Sequence, residues 1–429
     1  MEQIPLGEEL VYHTKNGIPV YYSPNPALHS FCLSLFVRGG SMFESAKDNG
    51  ITHFLEHLLF RHVNNLKNGT LYRELDAAGL SFDGVTYREF LWFSICGAPC
   101  HLEKAVSILS LLFAPLTLTN EDIVAERNRV KAEIREDGEK TSLDFFTDNL
   151  LYKGTSLAQS ILGTPNNLNR MTLRRLSAYK NTLFSKENVF FCVTGAANEA
   201  CLTWLSEGIA PYPISASPQK ENLAPVCAEM FKRNAFVAIK NSRRGAVRLS
   251  VDVSSTKCTD AELVLLYDIL FGDGEECRLH KTLSEKTGYI YSFSASLEQY
   301  RNVSFIHILY EIPVAKLLES VALMLGLLTD AKKTVGESLY LAKAPYTDNA
   351  AFILDSARDF NWSLAYERHL LSLPYTSIED RKKAFQAVTP ERLCALAAEI
   401  FTPDCLSLTA KADKRAVSQD TLRALLLSV

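Results

Sequence analysis

Two hydrophobic periods take turns through this sequence, one of two residues and one near 3.6, with glycine, proline and asparagine between them. Alternation over Leu10–His13 and Ile18–Ser23 predicts two strands. Asn16-Gly17 between them predicts a tight hairpin, since both residues accept the positive φ such turns need. The apolar run Phe31–Val37 predicts a buried strand. Helical spacing follows near Gly50–His62 and Leu71–Ala78, then strands Ser81–Tyr87 and Phe90–Cys96, and a helix over Leu102–Leu112.

The succession then recurs. Strands are expected at Phe236–Lys240 and Ala246–Val253, helices at Asp260–Phe271 and Arg278–Lys286, strands at Tyr289–Leu297 and Val303–Glu311, and a helix at Val314–Leu328. Each half also closes alike, with strand Asn188–Val193 leading to a helix near 200–206 and strand Cys405–Ala410 to one near 418–427. Helix-rich stretches over 120–185 and 334–401 complete the halves, and residues 208–226, with four prolines and little periodicity, have the composition of a linker. The expected fold is α+β: two similar lobes, 1–207 and 227–429, each a mainly antiparallel sheet packed with helices.

A length of 429 residues exceeds what one ordinary core serves, in agreement with that duplication. The chain is 47% hydrophobic and 22% charged, and no run reaches the roughly 18 to 20 apolar residues of a spanning helix. The first residues carry Glu2, Glu8 and Glu9 and no apolar core of a secretory signal, so a cytoplasmic protein without a membrane partner is expected. A net charge of −4 gives no electrostatic case for nucleic acid. The ten cysteines form no CxxC pair, which argues for reduced thiols and against a structural zinc ribbon.

The chemistry concentrates in GITHFLEHLLF, residues 50–60. His53 and His57 are four apart, so a helix sets them one turn apart on one face. Imidazoles so placed can converge on one zinc ion at Zn–N distances of about 2.0–2.1 Å. Glu56 shares that face, within reach of a water on the metal; the string is HxxEH, the reverse of HExxH. The plainer alternative is a pair of surface histidines beside an unrelated glutamate. Residues 120–137 predict a second helix, with Asn120 as N-cap. Glu126 and Glu133, seven apart, project from it in nearly the same direction, and one of its carboxylates could be a third ligand.

The stretch SLFVRGGSMFES followed by GITHFLEHLLF resembles the zinc site of the inverzincin peptidases, the family of pitrilysin, insulysin and the β subunit of mitochondrial processing peptidase. Glu133 lies 76 residues beyond His57 and seven beyond Glu126, and both spacings match that family's third-ligand motif. The resemblance implies that His53, His57 and Glu133 hold one Zn²⁺ per chain, with Glu56 as general base and Glu126 orienting a ligand histidine. It implies a zinc endopeptidase subunit acting on short or unstructured peptides, such as precursors or leaders. Within the same fold the alternative is a non-catalytic core or peptide-binding subunit.

The resemblance further implies that substrate adds as a strand. Residues 79–86 correspond to the family's G-G-x-x-N-A-x-T, so Phe82, Asp83, Gly84, Val85 and Thr86 would contact it, with Asp83 and Gly84 replacing the family's Asn and Ala. In the second half, Val264, Tyr267 and Asp268 stand opposite His53, Glu56 and His57, which removes a second zinc site. Family members use that half for an Arg–Tyr pair that grips substrate. In CRLHKTLSEKTGYIY, residues 277–291, Tyr291 holds the tyrosine position but Ser284 stands for the arginine. A serine lacks the guanidinium's fork of donors. The expected partner is therefore a homologous subunit that lacks HxxEH and supplies the Arg–Tyr pair. The rival is a homodimer in which Arg278 or another residue stands in.

Overall fold

The computed structural model describes residues 7–136, 142–215 and 234–429. These divide into two compact units, one of 7–136, 154–215 and 351–378, the other of 142–153, 234–350 and 379–429. The first is built on strands β1 (Leu10–His13), β2 (Pro19–Pro24), β3 (Phe31–Arg38), β4 (Ser81–Thr86), β5 (Phe90–Gly97) and β6 (Val189–Gly195). The second is built on β7 (Phe236–Asn241), β8 (Gly245–Asp252), β9 (Ser294–Gln299), β10 (Ser304–Ile312) and β11 (Leu406–Ala412).

The sheet orders are β1-β2-β6-β3-β5-β4 and β7-β11-β8-β10-β9. Without β1, the two match strand for strand: one parallel pair, β2 with β6 and β7 with β11, then antiparallel neighbours throughout. The fold is thus the duplicated α+β architecture its periodicity predicts.

The alternation of each strand decides what lies on its two faces. In β3, Leu33, Leu35 and Val37 turn into the main core with Phe54, Leu58 and Leu109. These last come from helices α1 (Ile51–Leu66) and α3 (Leu102–Ser110), and α2 (Leu71–Ala78) adds Leu71 and Leu75 to the same core. Phe36 turns the other way, into a second cluster with Trp92, Phe190 and Ala365, against which Trp362 packs. That face also carries Ser34, and the buried Asn361 meets it: its side-chain N–H groups donate to the carbonyls of Cys32 (3.2 Å) and Cys192 (3.1 Å).

In the second unit, the sheet is met by residues 142–153. There Arg248, nearly buried, pairs with Asp144 (2.8 Å) and Asp148 (2.9 Å). The division of the described residues is consequently not collinear. The expected lobes 1–207 and 227–429 would have kept 142–153 in the first and 351–378 in the second, whereas each of these segments covers a sheet face in the opposite unit. Residues 216–226 of the expected linker lie outside the described residues.

Three local expectations change. The strand expected over Tyr289–Leu297 is β9, which starts only at Ser294 and runs to Gln299. The helix over Arg278–Lys286 is one α turn, Arg278–His280, followed by a π-helical turn over Lys281–Glu285. The helix from residue 120, α4 (Asn120–Glu136), is capped by Thr119 and not by Asn120. The Thr119 hydroxyl accepts the Asp122 N–H (3.2 Å), and the Asp122 carboxylate accepts the Thr119 N–H (3.0 Å). Among the described residues no helix is long and apolar enough to cross a membrane.

Candidate active site

Helix α1 starts at a crowded point. Gly50 adopts φ 92°, and a Cβ there would stand 2.7 Å from the Gly163 Cα, so glycine is required on both counts. The buried Glu44 carboxylate accepts the N–H groups of Gly50 (2.7 Å) and Thr52 (2.9 Å) and the Asn49 amide (3.0 Å). A carboxylate at a helix N-terminus meets both the unpaired donors and the helix dipole. Its burial nevertheless raises its pKa, against the pull of those bonds. One turn on, the Thr52 hydroxyl meets the Tyr179 hydroxyl at 2.7 Å. The register of α1 is therefore fixed before its histidines appear.

The histidine rings of positions 53 and 57 lie 4.8 Å apart at 68°. From α4, the two carboxylate oxygens of Glu133 stand 3.6 Å from His53 Nε2 and 3.3 Å from His57 Nε2. One ligand atom from each of these three residues lies within 4.8 Å of the others, and this is the group of three or more such side chains found among the described residues. Burial, then the neighbouring His57, lowers the His53 pKa to about 3, so this imidazole is neutral with a lone pair to offer. The donor set fits zinc: bonds of about 2.0–2.1 Å in a tetrahedron keep ligand atoms roughly 3.3 Å apart.

Glu126 does not join that group. Its carboxylate faces the other ring nitrogen, His57 Nδ1, at 3.4 Å, and accepts from Arg61 Nε at 2.9 Å. Burial works to raise its pKa, but the bonds from His57 and Arg61 outweigh this and hold it low. Arg61 also reaches Asp122 (3.2 Å), so one arginine braces α1 against α4. Glu56 points to β4: the Thr86 hydroxyl donates to its Oε2 at 2.7 Å. Desolvation raises the Glu56 pKa, with the Thr86 bond opposing.

The remaining candidates separate. Phe82 packs on Phe60 with ring centroids 4.7 Å apart, and Asp83 pairs with Arg358 at 2.8 Å. Gly84 leaves room for the Phe60 ring, which a Cβ would meet at 2.5 Å. Val85 packs on the aromatic cluster of the sheet's other face. Thr86 is buried, its side chain committed to Glu56. The bond from Tyr87 N–H to the Phe90 carbonyl sets the ladder phase, so the odd residues of β4 bond to β5 and the backbone groups of Phe82 and Gly84 face away from it. Tyr291 belongs to the second unit and is 96% exposed.

Arg61 and Glu44 were not singled out in the sequence. Arg61 sits four residues after His57, a spacing that placed it on the ligand face; Glu44 precedes α1 in a loop, where no periodicity marks a capping carboxylate.

The model of the insulinase family, peptidase family M16, matches residues 20–165, and that of the peptidase M16 inactive domain matches 170–340. The chain belongs to peptidase family M16. A relative named an uncharacterized zinc protease, YmxG, of Bacillus subtilis is 21% identical over 92% of this chain and 96% of its own. The mitochondrial-processing peptidase subunit beta of Saccharomyces cerevisiae is 28% identical over 47% of this chain and 45% of its own. The M16 fold is matched by a crystal structure titled peptidase M16 inactive domain, from Pseudomonas fluorescens. Its TM-score is 0.81 at 17% identity, covering 94% of this chain and 97% of that one.

Proposed function

We propose that this M16 chain is the zinc-bearing, catalytic subunit of a peptidase that hydrolyses short or unstructured peptides. The observation that carries the reading is the convergence of His53, His57 and Glu133, with the Glu56 carboxylate on the same helix face and one of its oxygens held by Thr86. His53 Nε2, His57 Nε2 and a Glu133 oxygen would hold the ion. Zinc bound there supplies Lewis acidity, which lowers the pKa of water and polarises a carbonyl.

The chain's own residues do the rest. Glu56, raised in pKa by burial, takes the proton of the attacking water and returns it to the leaving amine. Thr86 holds one oxygen of that carboxylate, leaving the other to the water. Glu126 fixes the tautomer of His57 by accepting from Nδ1, so that Nε2 carries the lone pair. Substrate is held as an added strand by the outward backbone groups of Phe82 and Gly84.

The second unit supports a partner. Arg278 donates to the Thr334 hydroxyl (2.8 Å), the Thr334 carbonyl (2.6 Å) and the Ser338 hydroxyl (3.1 Å); a guanidinium engaged in this way supports a partner over a homodimer that uses Arg278 in place of the arginine missing at Ser284. A homologous subunit lacking HxxEH and bearing the Arg–Tyr pair completes the enzyme. The chain purified with its native partner should contain one zinc per chain and cleave peptides until a chelator is added. Glu56→Gln should keep the zinc and lose turnover, while His57→Ala should lose both. Substantial turnover by Glu56→Gln would end the assignment of the base, and a metal-free, inactive complex would favour the non-catalytic alternative.

A further inference from the structure

Outside that site, the first unit holds two thiols in register. Cys32 of β3 and Cys96 of β5 are directly opposed in an antiparallel ladder. The phase of the ladder decides how close they come. The Gly39 N–H donates to the Glu89 carbonyl across this pair of strands, so the odd residues of β3 bond to β5. The Arg38 N–H and the Ser30 carbonyl bond instead on the β6 side, so the even residues turn their backbone groups there. Cys32 is even. The Cys32–Cys96 pair is thus a non-hydrogen-bonded pair, the kind with Cα atoms about 4.5 Å apart and side chains closest. That separation falls inside the range of about 4.4–6.8 Å that disulfides span.

The surroundings differ for the two sulfurs. Cys32 is fully buried, and Cys96 is partly exposed at the strand end. Arg358 lies over the Trp92 ring at 5.0 Å and pairs with Asp83, which places a guanidinium beside this end of the sheet. The Cys32 thiol donates toward Cys96 and, with Arg358, lowers the Cys96 pKa against the effect of burial. Burial raises that of Cys32. A partly exposed thiol that gives up its proton more readily, beside a buried one that keeps its own, is the arrangement of an attacking and a resolving cysteine.

We infer that Cys32 and Cys96 form a redox-modifiable dithiol, which a hydroperoxide or a small disulfide closes into a reversible cross-strand disulfide. With hydrogen peroxide, the Cys96 thiolate attacks one oxygen; the S–O bond forms, the O–O bond breaks, and hydroxide leaves and is protonated to water. The Cys32 sulfur then attacks Cys96; the S–S bond forms, the S–O bond breaks, and hydroxide leaves with the Cys32 proton as water. Two thiols are oxidised, and one peroxide is reduced to two waters. The inference is independent of the peptidase reading.

The test is limited peroxide treatment of the whole folded chain, followed by intact-mass measurement and peptide mapping. The expected result is a loss of about 2 Da, mapped to a 32–96 linkage and reversed by dithiothreitol. In Cys32→Ser, a sulfenic-acid probe should label Cys96 ahead of the exposed Cys100, which is the internal control. In Arg358→Ala, closure should slow severalfold. Absence of a 32–96 linkage in the unmodified sequence while Cys100 is oxidised would overturn the proposal, as would labelling of Cys100 before Cys96.

Discussion

The Thr86 hydroxyl donates to Glu56 Oε2 at 2.7 Å, joining a strand to a helix 30 residues earlier. Both side chains are buried, so the bond is shielded from water. Thr86→Val removes the donor at nearly constant volume. It should lower kcat about tenfold to a hundredfold with KM and zinc content little changed, and Thr86→Ser should recover most of the loss. Steady-state kinetics with metal analysis checks this; a change in KM alone would mean that Thr86 serves substrate and not the base.

A second prediction concerns metal retention. Glu126 touches His57 Nδ1 and Arg61, and neither Glu126 nor Arg61 stands among the three converging side chains proposed to hold zinc. Glu126→Gln should weaken zinc binding by about tenfold to a hundredfold without removing a ligand, and Arg61→Met should act in the same direction. Competition with a chromophoric chelator measures both.

Lys180 provides a pH dependence away from the site. Its ammonium donates to the Ala114 carbonyl in a buried setting, and burial lowers its pKa from 10.5 to about 7. Between those values the unfolded chain holds a proton that the folded chain has released. Unfolding then takes up a proton, so stability rises as pH climbs from about 7 toward 10.5 and is lost as pH falls through 7. The slope from this group is at most ~1.4 kcal/mol per pH unit. Urea midpoints at several pH values should show the rise in the native sequence and a flatter profile in Lys180→Met.

Asn361 tests the covering segment of the first unit. Its amide satisfies the carbonyls of Cys32 and Cys192. Asn361→Leu should destabilise that unit by about 1–3 kcal/mol, because buried acceptors lose their donors. Urea unfolding followed by the fluorescence of Trp92 and Trp362, which lie 5.1 Å apart, reports on this face directly.

Much of this was legible in the sequence. Period and turn residues marked most strands: alternation on either side of Asn16-Gly17 predicts the β1–β2 hairpin, and the apolar run of β3 predicts a strand buried on both faces. Spacing alone put His53 and His57 on one helical face and Glu126 and Glu133 on another. What stayed hidden depends on contacts between distant segments. Nothing near Thr86 in the chain says that its hydroxyl ends on Glu56, and nothing near Asn361 says that it caps carbonyls of β3 and β6. The compact units depart from the collinear lobes for the same reason: local composition marks a proline-rich linker but not a segment that returns to the other sheet. The π turn over Lys281–Glu285 has no distinct mark in the sequence, because an i→i+5 turn differs from an α turn by a single residue.

The returning segments bear on how this protein can be dissected. A gene split at the proline-rich junction would give a front half whose Phe36, Trp92 and Phe190 have lost Trp362 and Ala365, and a back half whose Arg248 has lost Asp144 and Asp148. Neither fragment would be a finished domain: one would show a naked aromatic surface, the other a stranded buried cation. Truncations meant to isolate the half with His53, His57 and Glu133 must carry residues 351–378 along as a graft.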